Sequence, residues 1–241
     1  MPPQTAREKK QAERRGRVIQ AAMALAREGG YEAVHMRDVS ARADVAMGTI
    51  YRYFSSKDEL LAASLVTWIK ILRNRLSERP LRGDTPAERL GNTLALASTV
   101  SEEAVPLMRA LITAMSSTDP AVAPHRAEVD KLLGEIIKRG MGELPPDVDA
   151  EGIRRVIGHV WSSALNRWVS GMAPTGSVAE ELRRAAQLLL GPYTFATPAG
   201  GQPSSDGAGA SSDEDASAEA VSAEVARAAP EGVSASRSAA P

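Results

Sequence analysis

From Arg15 onward the apolar residues of this 241-residue chain recur with the period of a helix. Val18, Ile19, Ala22, Met23, Leu25 and Ala26 fall at the three- and four-residue intervals that line one helix face over 15–28. Gly29-Gly30 predicts the end of that helix, because glycine enters the left-handed conformation that closes helices at little cost. Two short helices are expected at 36–43 and 47–53. Ser56 followed by Glu59 has the spacing of a capping box and opens a long helix to about Ser77, which Arg79-Pro80 and Gly83 end. Thr85-Pro86 is the next start, with Thr as the cap and Pro at the first helical position. Further helices are expected near 86–101, 104–117, 121–141, 149–171 and 178–190, with breaks at Asp119-Pro120, Gly140 to Pro146 and Pro174 to Gly176. No segment alternates as a half-buried strand would. The pattern predicts an all-α chain of about nine helices.

Charge and composition divide this helical chain. Residues 1–57 carry 11 Lys/Arg against 6 Asp/Glu, residues 58–195 carry 16 against 17, and residues 196–241 carry 2 against 7. A basic end on a near-neutral body is the footprint of a nucleic-acid-binding module joined to a partner domain. Residues 1–14 read as a disordered basic arm, with Arg7, Lys9, Lys10, Arg14 and Arg15 able to meet a flanking groove. Residues 15–57 read as the DNA-binding unit, and 58–195 as a body of about six helices. From Ala196 the composition shifts to Ala, Ser, Gly, Pro and Glu, which is expected to form a disordered acidic tail. The chain has no Cys, so thiolate metal sites, disulfides and Cys nucleophiles are excluded. No apolar run resembles a signal peptide or a membrane span, so a cytoplasmic protein without membrane contact is expected.

Residues 34–59 hold the most informative chemistry. Val39, Ala43, Val45 and Ile50 are spaced to pack two short helices across a tight turn. Arg37, Thr49, Tyr51, Arg52, Tyr53 and Lys57 surround that seam. A helix-turn-helix needs this division between a buried elbow and a face able to reach phosphates and base edges of double-stranded DNA. Asp44 sits at the turn position that demands positive φ, which Asp tolerates better than most residues. In the recognition helix, Met47, Gly48 and Thr49 are expected near base edges, with Gly48 allowing close backbone approach. Arg52 suits a guanine edge or a phosphate. Arg37, Tyr51, Tyr53 and Lys57 are assigned to phosphates, where they position the helix without reading sequence. Phe54 is expected in the core.

The segment Thr49-Ile50-Tyr51-Arg52-Tyr53-Phe54-Ser55-Ser56-Lys57 resembles the end of the recognition helix in TetR-family transcriptional regulators, and the likeness covers about residues 15–62. It implies a homodimer on a palindromic operator, an all-α ligand-binding and dimerisation domain, and repression relieved by a small hydrophobic effector. Met36 stands where the family often has Thr, which removes one phosphate contact, and Asp44 stands where it usually has Gly. Met36-Arg37, Arg42 to Ala46, Gly48-Thr49, Arg155 to Ile157, Val160-Trp161, Leu165 and Trp168 are similar to the branch that represses cholesterol catabolism in mycobacteria. That likeness implies a sterol-derived or other acyl-CoA effector. The alternative is a family member controlling efflux or fatty-acid genes with an unrelated hydrophobic effector.

In the body, Leu94, Leu107, Met108, Leu111, Met115, Trp161 and Leu165 are candidates for a ligand pocket, since Met and Leu repack around varied ligands. Stripes of this kind are more often plain core. The family resemblance implies that the last two helices pair with a partner's, with Ile153, Val156, Ile157, Val160, Leu182, Ala185, Ala186 and Leu189 as interface candidates. No cofactor or metal is expected. His35, His125 and His159 are too scattered for a metal motif, and neither a phosphate-cradling glycine loop nor a G-x-S-x-G elbow occurs. Catalysis is therefore rejected. A nonspecific DNA-coating protein is disfavoured because the body lacks the positive charge that many phosphate contacts need.

Overall fold

A computed structural model describes residues 6–102 and 104–191. The expected acidic tail and the first five residues lie outside them. The described residues form nine α-helices and one 3-10 turn, with no strand among them. α1 spans Ala6–Gly29, α2 Met36–Ala43 and α3 Met47–Tyr53. α4 spans Lys57–Ser77, α5 Pro86–Glu102 and α6 Val105–Met115. The 3-10 turn Pro120–Val122 leads into α7, Ala123–Met141, and α8, Ala150–Val169, and α9, Ser177–Leu190, complete the chain.

One boundary departs clearly from expectation. α1 begins at Ala6 rather than Arg15, so residues 6–14 are helical and not a disordered arm. Their side chains are exposed almost throughout. Ala, Glu, Lys, Arg and Gln are strong helix formers, and extending a packed helix avoids the nucleation cost that a free segment would meet.

Local chemistry sets most other ends. Gly30 takes φ 70° behind α1. Ser56 caps α4, its hydroxyl accepting from the Glu59 N–H at 3.1 Å. The Glu59 carboxylate returns to Ser55, accepting from its N–H at 2.6 Å and its hydroxyl at 2.8 Å, so the capping box is displaced by one residue. Thr85 and Glu88 form a reciprocal box at α5, and Asp149 caps α8 by accepting from the Gly152 N–H at 2.8 Å.

α1, α2 and α3 form a small bundle, and α4 leaves it to run through the body against α6 and α7. α6 packs on α1 as well as on α4, so both helices join the bundle to the body. α5 lies along α9, where Gly91 permits close approach: a Cβ there would stand 3.4 Å from Arg183 Cα. A single apolar cluster runs from Val18 in α1 to Leu190 in α9. The two units therefore share one continuous core and cannot move independently without opening it.

Candidate nucleic-acid interface and ligand cavity

The turn between α2 and α3 is built on Asp44, at φ 51° and ψ 52°, the only described non-glycine residue with positive φ. The Val45 N–H donates to the Ser40 carbonyl at 3.2 Å, and the Ser40 hydroxyl donates to the Val45 carbonyl at 2.8 Å. Val34, Val39, Ala43, Val45, Ile50 and Phe54 are buried beneath, against α1. Arg17 Nε from α1 caps the end of α2 at the Ala43 carbonyl, 3.2 Å away. Arg42 pairs with Glu28 at 2.6 Å. The elbow is thus closed on itself and clamped to α1, which leaves α3 free on its outer side.

That side carries the expected face. Gly48, Tyr51 and Arg52 are exposed, with Tyr51 at 51%, while Met47, Thr49 and Tyr53 are half-buried. A Cβ on Gly48 would meet nothing within 4 Å, so no contact inside the protein requires glycine there. Arg37 is exposed in the first turn of α2. His35, which precedes α2, is exposed and gives that helix no side-chain cap.

Lys57 is more engaged than a simple phosphate contact implies. Its ammonium lies 3.7 Å from the centre of the Tyr31 ring and donates to the Tyr31 carbonyl at 3.2 Å. Tyr31 donates its phenol proton to Asp58 at 2.5 Å. Burial, then that hydrogen bond and the charge of Asp58, push the phenol up to about 12, so it stays protonated. An ammonium has three N–H donors, and those not taken by Tyr31 remain available. Arg15, assigned to the arm, instead stacks its guanidinium over Phe54 at 4.8 Å.

The body holds an apolar cavity of about 160 Å³. α4 contributes Leu65, Trp68, Ile69 and Leu72, α6 contributes Met108, Ile112 and Met115, and α8 contributes Trp161, Ser162, Leu165 and Asn166. Four of the expected pocket residues, Met108, Met115, Trp161 and Leu165, line it. Leu94, Leu107 and Leu111 do not; they are fully buried core. On α6 the cavity faces the Met108–Ile112–Met115 side, and Leu107 and Leu111 lie one position off that stripe. No α4 residue was among the candidates, because Leu65, Trp68, Ile69 and Leu72 recur at a helical spacing that plain core also shows.

A second chamber of about 170 Å³ adjoins the first, sharing Met115, Val129, Leu133 and Ser162. Its remaining lining mixes the charged side chains of Arg126, Asp130 and Arg154 with Ile137, Gly134 and Gly158. Arg126 also donates to the Met115 and Ser117 carbonyls at 3.1 and 2.9 Å, holding the chain after α6. Asp119 in that same segment accepts from the Ser56 hydroxyl at 2.5 Å, which ties it to the cap of α4 beside the helix-turn-helix. His125 Nε2 lies 3.9 Å from Glu59 one turn further on. Burial lowers the His125 pKa, and the nearby carboxylate only partly offsets that, so the contact is a neutral one near pH 7.

The interface candidates divide into two groups. Ile153, Ile157, Leu182 and Ala186 are buried within the protomer's own core, α9 presenting its stripe to α5, and cannot serve as free surface. Val156 is 46% exposed, and Val160, Ala185 and Leu189 are half-buried. Leu188, not anticipated, is 71% exposed. Helical phase explains the difference: apolar residues occur on both sides of α8 and α9, and sequence alone does not say which side the protomer claims.

This arrangement defines a helix-turn-helix DNA-binding regulator, in which the helix-turn-helix unit shares its core with a helical C-terminal domain. Residues 18–64 match the family described as bacterial regulatory proteins, tetR family, and residues 83–189 match the tetracyclin repressor-like C-terminal domain. The chain belongs to the TetR family of transcriptional regulators and is not an enzyme. It is 38% identical to the HTH-type transcriptional repressor KstR of Rhodococcus jostii (strain RHA1) over 181 residues, 75% of this chain and 84% of the relative. The finer sequence likeness pointed to that branch. A TetR regulator from Rhodococcus sp. RHA1 superposes with a TM-score of 0.67 at 30% identity, over 78% of this chain and 100% of that one. The same fold occurs in Thermus thermophilus FadR, a repressor crystallised in complex with lauroyl-CoA, with a TM-score of 0.59 at 24% identity over 78% of this chain and 100% of that one. Among the described residues no helix is long and apolar enough to cross a membrane, and no group of three His, Asp or Glu could hold a metal.

Proposed function

We propose that this chain is a cytoplasmic homodimeric repressor that binds a palindromic operator through two copies of α3, and that a small amphipathic effector of acyl-CoA type releases it. The carrying observation is the α4 wall of the cavity. Leu65, Trp68, Ile69 and Leu72 belong to the same helix that Ser56 caps and whose first residue, Lys57, bonds to Tyr31 of the DNA-binding unit. A ligand pressing on that wall presses on the reading head.

The two chambers support the effector class. The first is lined mainly by apolar side chains, and the adjoining one adds Arg126, Asp130 and Arg154, the last paired with Glu151, so an apolar body with a polar head suits the two. Relatedness to KstR and a fold shared with an acyl-CoA-bound repressor are consistent with that choice. Thr49 and Arg52 carry base readout in this proposal, while Arg37, Tyr51, Tyr53 and Lys57 set register on phosphates. Val156, Val160, Ala185, Leu188 and Leu189 form the apolar centre of the dimer face.

The test is binding to DNA from the gene's own upstream region and to a selected genomic library. It is run at fixed salt with and without a panel of acyl-CoA thioesters that includes sterol-derived ones. Sequence-specific binding lost on adding one class of thioester supports the proposal. Specific binding indifferent to the whole panel removes the effector class, and failure to select any sequence removes the regulator's operator.

A further inference from the structure

We propose that the indole N–H of Trp161 is a ligand-recognition donor, and that the effector sets a carbonyl oxygen against it inside the apolar chamber. This rests on the effector-binding reading above and adds the polar contact that selects among effectors. Trp161 is 2% exposed and is one of the residues lining the chamber. Its Nε1 is buried, and among the described residues no protein atom accepts from it. Buried N–H groups are paired in the great majority of cases, so an unpaired one on a residue that lines a cavity marks a partner's place once a ligand parts the walls.

Of the other polar residues lining the chamber, Ser162 is exposed and the remaining two are engaged elsewhere. The Ser101 hydroxyl donates to the Ala97 carbonyl at 2.9 Å, and the Asn166 amide donates to the Ser162 carbonyl at 2.8 Å, each turned to its own helix. The other orphaned buried side-chain atom, Glu102 Oε1, belongs to the carboxylate that receives the Gly176 N–H at the start of α9 and is not part of the chamber lining.

An indole N–H only donates, so its ligand partner must accept. A carbonyl oxygen satisfies it. A saturated hydrocarbon leaves it unpaired, and an ammonium group would set donor against donor in apolar surroundings. A site built around such a donor rejects the analogue lacking the oxygen more strongly than a hydrophobic wall rejects a change of shape. Two ligand features carry this chemistry: the thioester carbonyl of an acyl thioester, and a ketone on an apolar ring system.

The experiment uses the full chain and two matched pairs of probes. Dodecanoyl-CoA is compared with S-dodecyl-CoA, in which the carbonyl is a methylene, and 4-cholesten-3-one with its 3-deoxy hydrocarbon. Binding is measured for the wild type and for Trp161→Phe, together with the 15N–1H indole signals of Trp68, Trp161 and Trp168. In one pair, the oxygenated member should bind the wild type roughly ten-fold tighter than its twin. It should also move the Trp161 indole proton downfield, and the preference should fall to within about two-fold in the variant. The pair that responds identifies the source of the oxygen.

Equal binding within both pairs overturns the proposal. So does a preference that persists in Trp161→Phe, or a Trp161 signal that moves equally with the deoxygenated probe. The indole signal is read on the wild type, so the test stands even if the variant folds poorly. Absence of binding by all four probes also overturns it. Operator binding measured without ligand separates each of these failures from failure of the proposed regulator.

Discussion

Gly48→Ala separates the DNA-reading role of α3 from its folding role, because the position is open in the protein. Gly48 is the second residue of α3, it is exposed, and a methyl group there would touch nothing within 4 Å. Its φ is not positive, so alanine brings no backbone strain. Replacing glycine by alanine inside a helix stabilises by about 0.5–1 kcal/mol, chiefly by restricting the unfolded chain. For a domain of 150–250 residues, that corresponds to a rise in melting temperature of about 1–4 °C. If the first turn of α3 lies against base edges, the same methyl displaces the helix outward and weakens its contacts. A loss of about 1.4 kcal/mol per protomer is ten-fold, so a dimer engaging two half-sites should lose about a hundred-fold in operator affinity. Fluorescence anisotropy with operator and random DNA at one salt concentration, beside a thermal melt, reads both effects. A stabilised variant with undiminished operator affinity would refute the placement of Gly48 at the DNA, and a destabilised one would refute the openness of the site.

Asp44→Gly should leave stability within a few tenths of a kcal/mol, whereas Asp44→Ala should cost about 1 kcal/mol because the left-handed turn remains; urea titration compares them. Leu188→Glu should give a monomer by sedimentation and weaken operator binding with no loss of helix by circular dichroism; an intact dimer would reject the α8–α9 face. Asp119→Ala, which removes the hydrogen bond from Ser56, should leave ligand-free operator binding within about two-fold. It should raise several-fold the acyl-CoA concentration needed for release, and an unchanged release curve would show that this bond carries no coupling. Burial raises the Glu102 pKa against the pull of the Gly176 and Val178 N–H groups. The folded state therefore holds that proton more tightly than the unfolded state. Its contribution favours folding as pH falls through the raised pKa toward the ordinary carboxylate range, and is lost as pH rises above it. The difference in stability between wild type and Glu102→Gln, measured from pH 4 to 8, should follow that sign; a flat difference would refute it.

The fold was legible where one local signal decides the outcome. Asp44 forecast a left-handed turn because few residues tolerate positive φ, and Ser56 with Glu59 forecast the start of α4 because the orphan N–H groups of a helix need an acceptor. The arm failed by the same logic in reverse. Composition suggested disorder, but residues 6–14 contain no breaker and continue a packed helix. The site was legible only in part, because a helical period shows that an apolar stripe exists but not what faces it. Leu107 and Met108 are adjacent on α6, yet one is core and the other lines the cavity. Leu182 and Leu188 are separated by less than two turns, yet one is buried against the protomer's own helices and the other stands in solvent. The seam between units left no sequence mark at all: the bond from Ser56 to Asp119 joins residues far apart in the chain.

The size of the cavity bears on how an effector could act. At about 160 and 170 Å³, each chamber is smaller than the 300–1,000 Å³ typical of small-molecule sites. An acyl-CoA effector, as proposed, would enter by separating the walls, which are α4, α5, α6, α7 and α8. Interiors are close-packed and yield by shifting whole elements rather than by compression. α4 and α6 are also the helices that pack on α1, so the displacement admitting the ligand is carried to the reading unit. The proposed dimer would read two grooves at a fixed separation, and a shift of a few ångströms would put both recognition helices out of register. In the proposed mechanism the ligand binds the DNA-free form better by the work it saves in opening the cavity. By linkage, operator DNA must weaken effector binding by the same factor. Measuring acyl-CoA affinity with and without saturating operator tests that equality directly, and equal affinities would refute expansion of the cavity as the release mechanism.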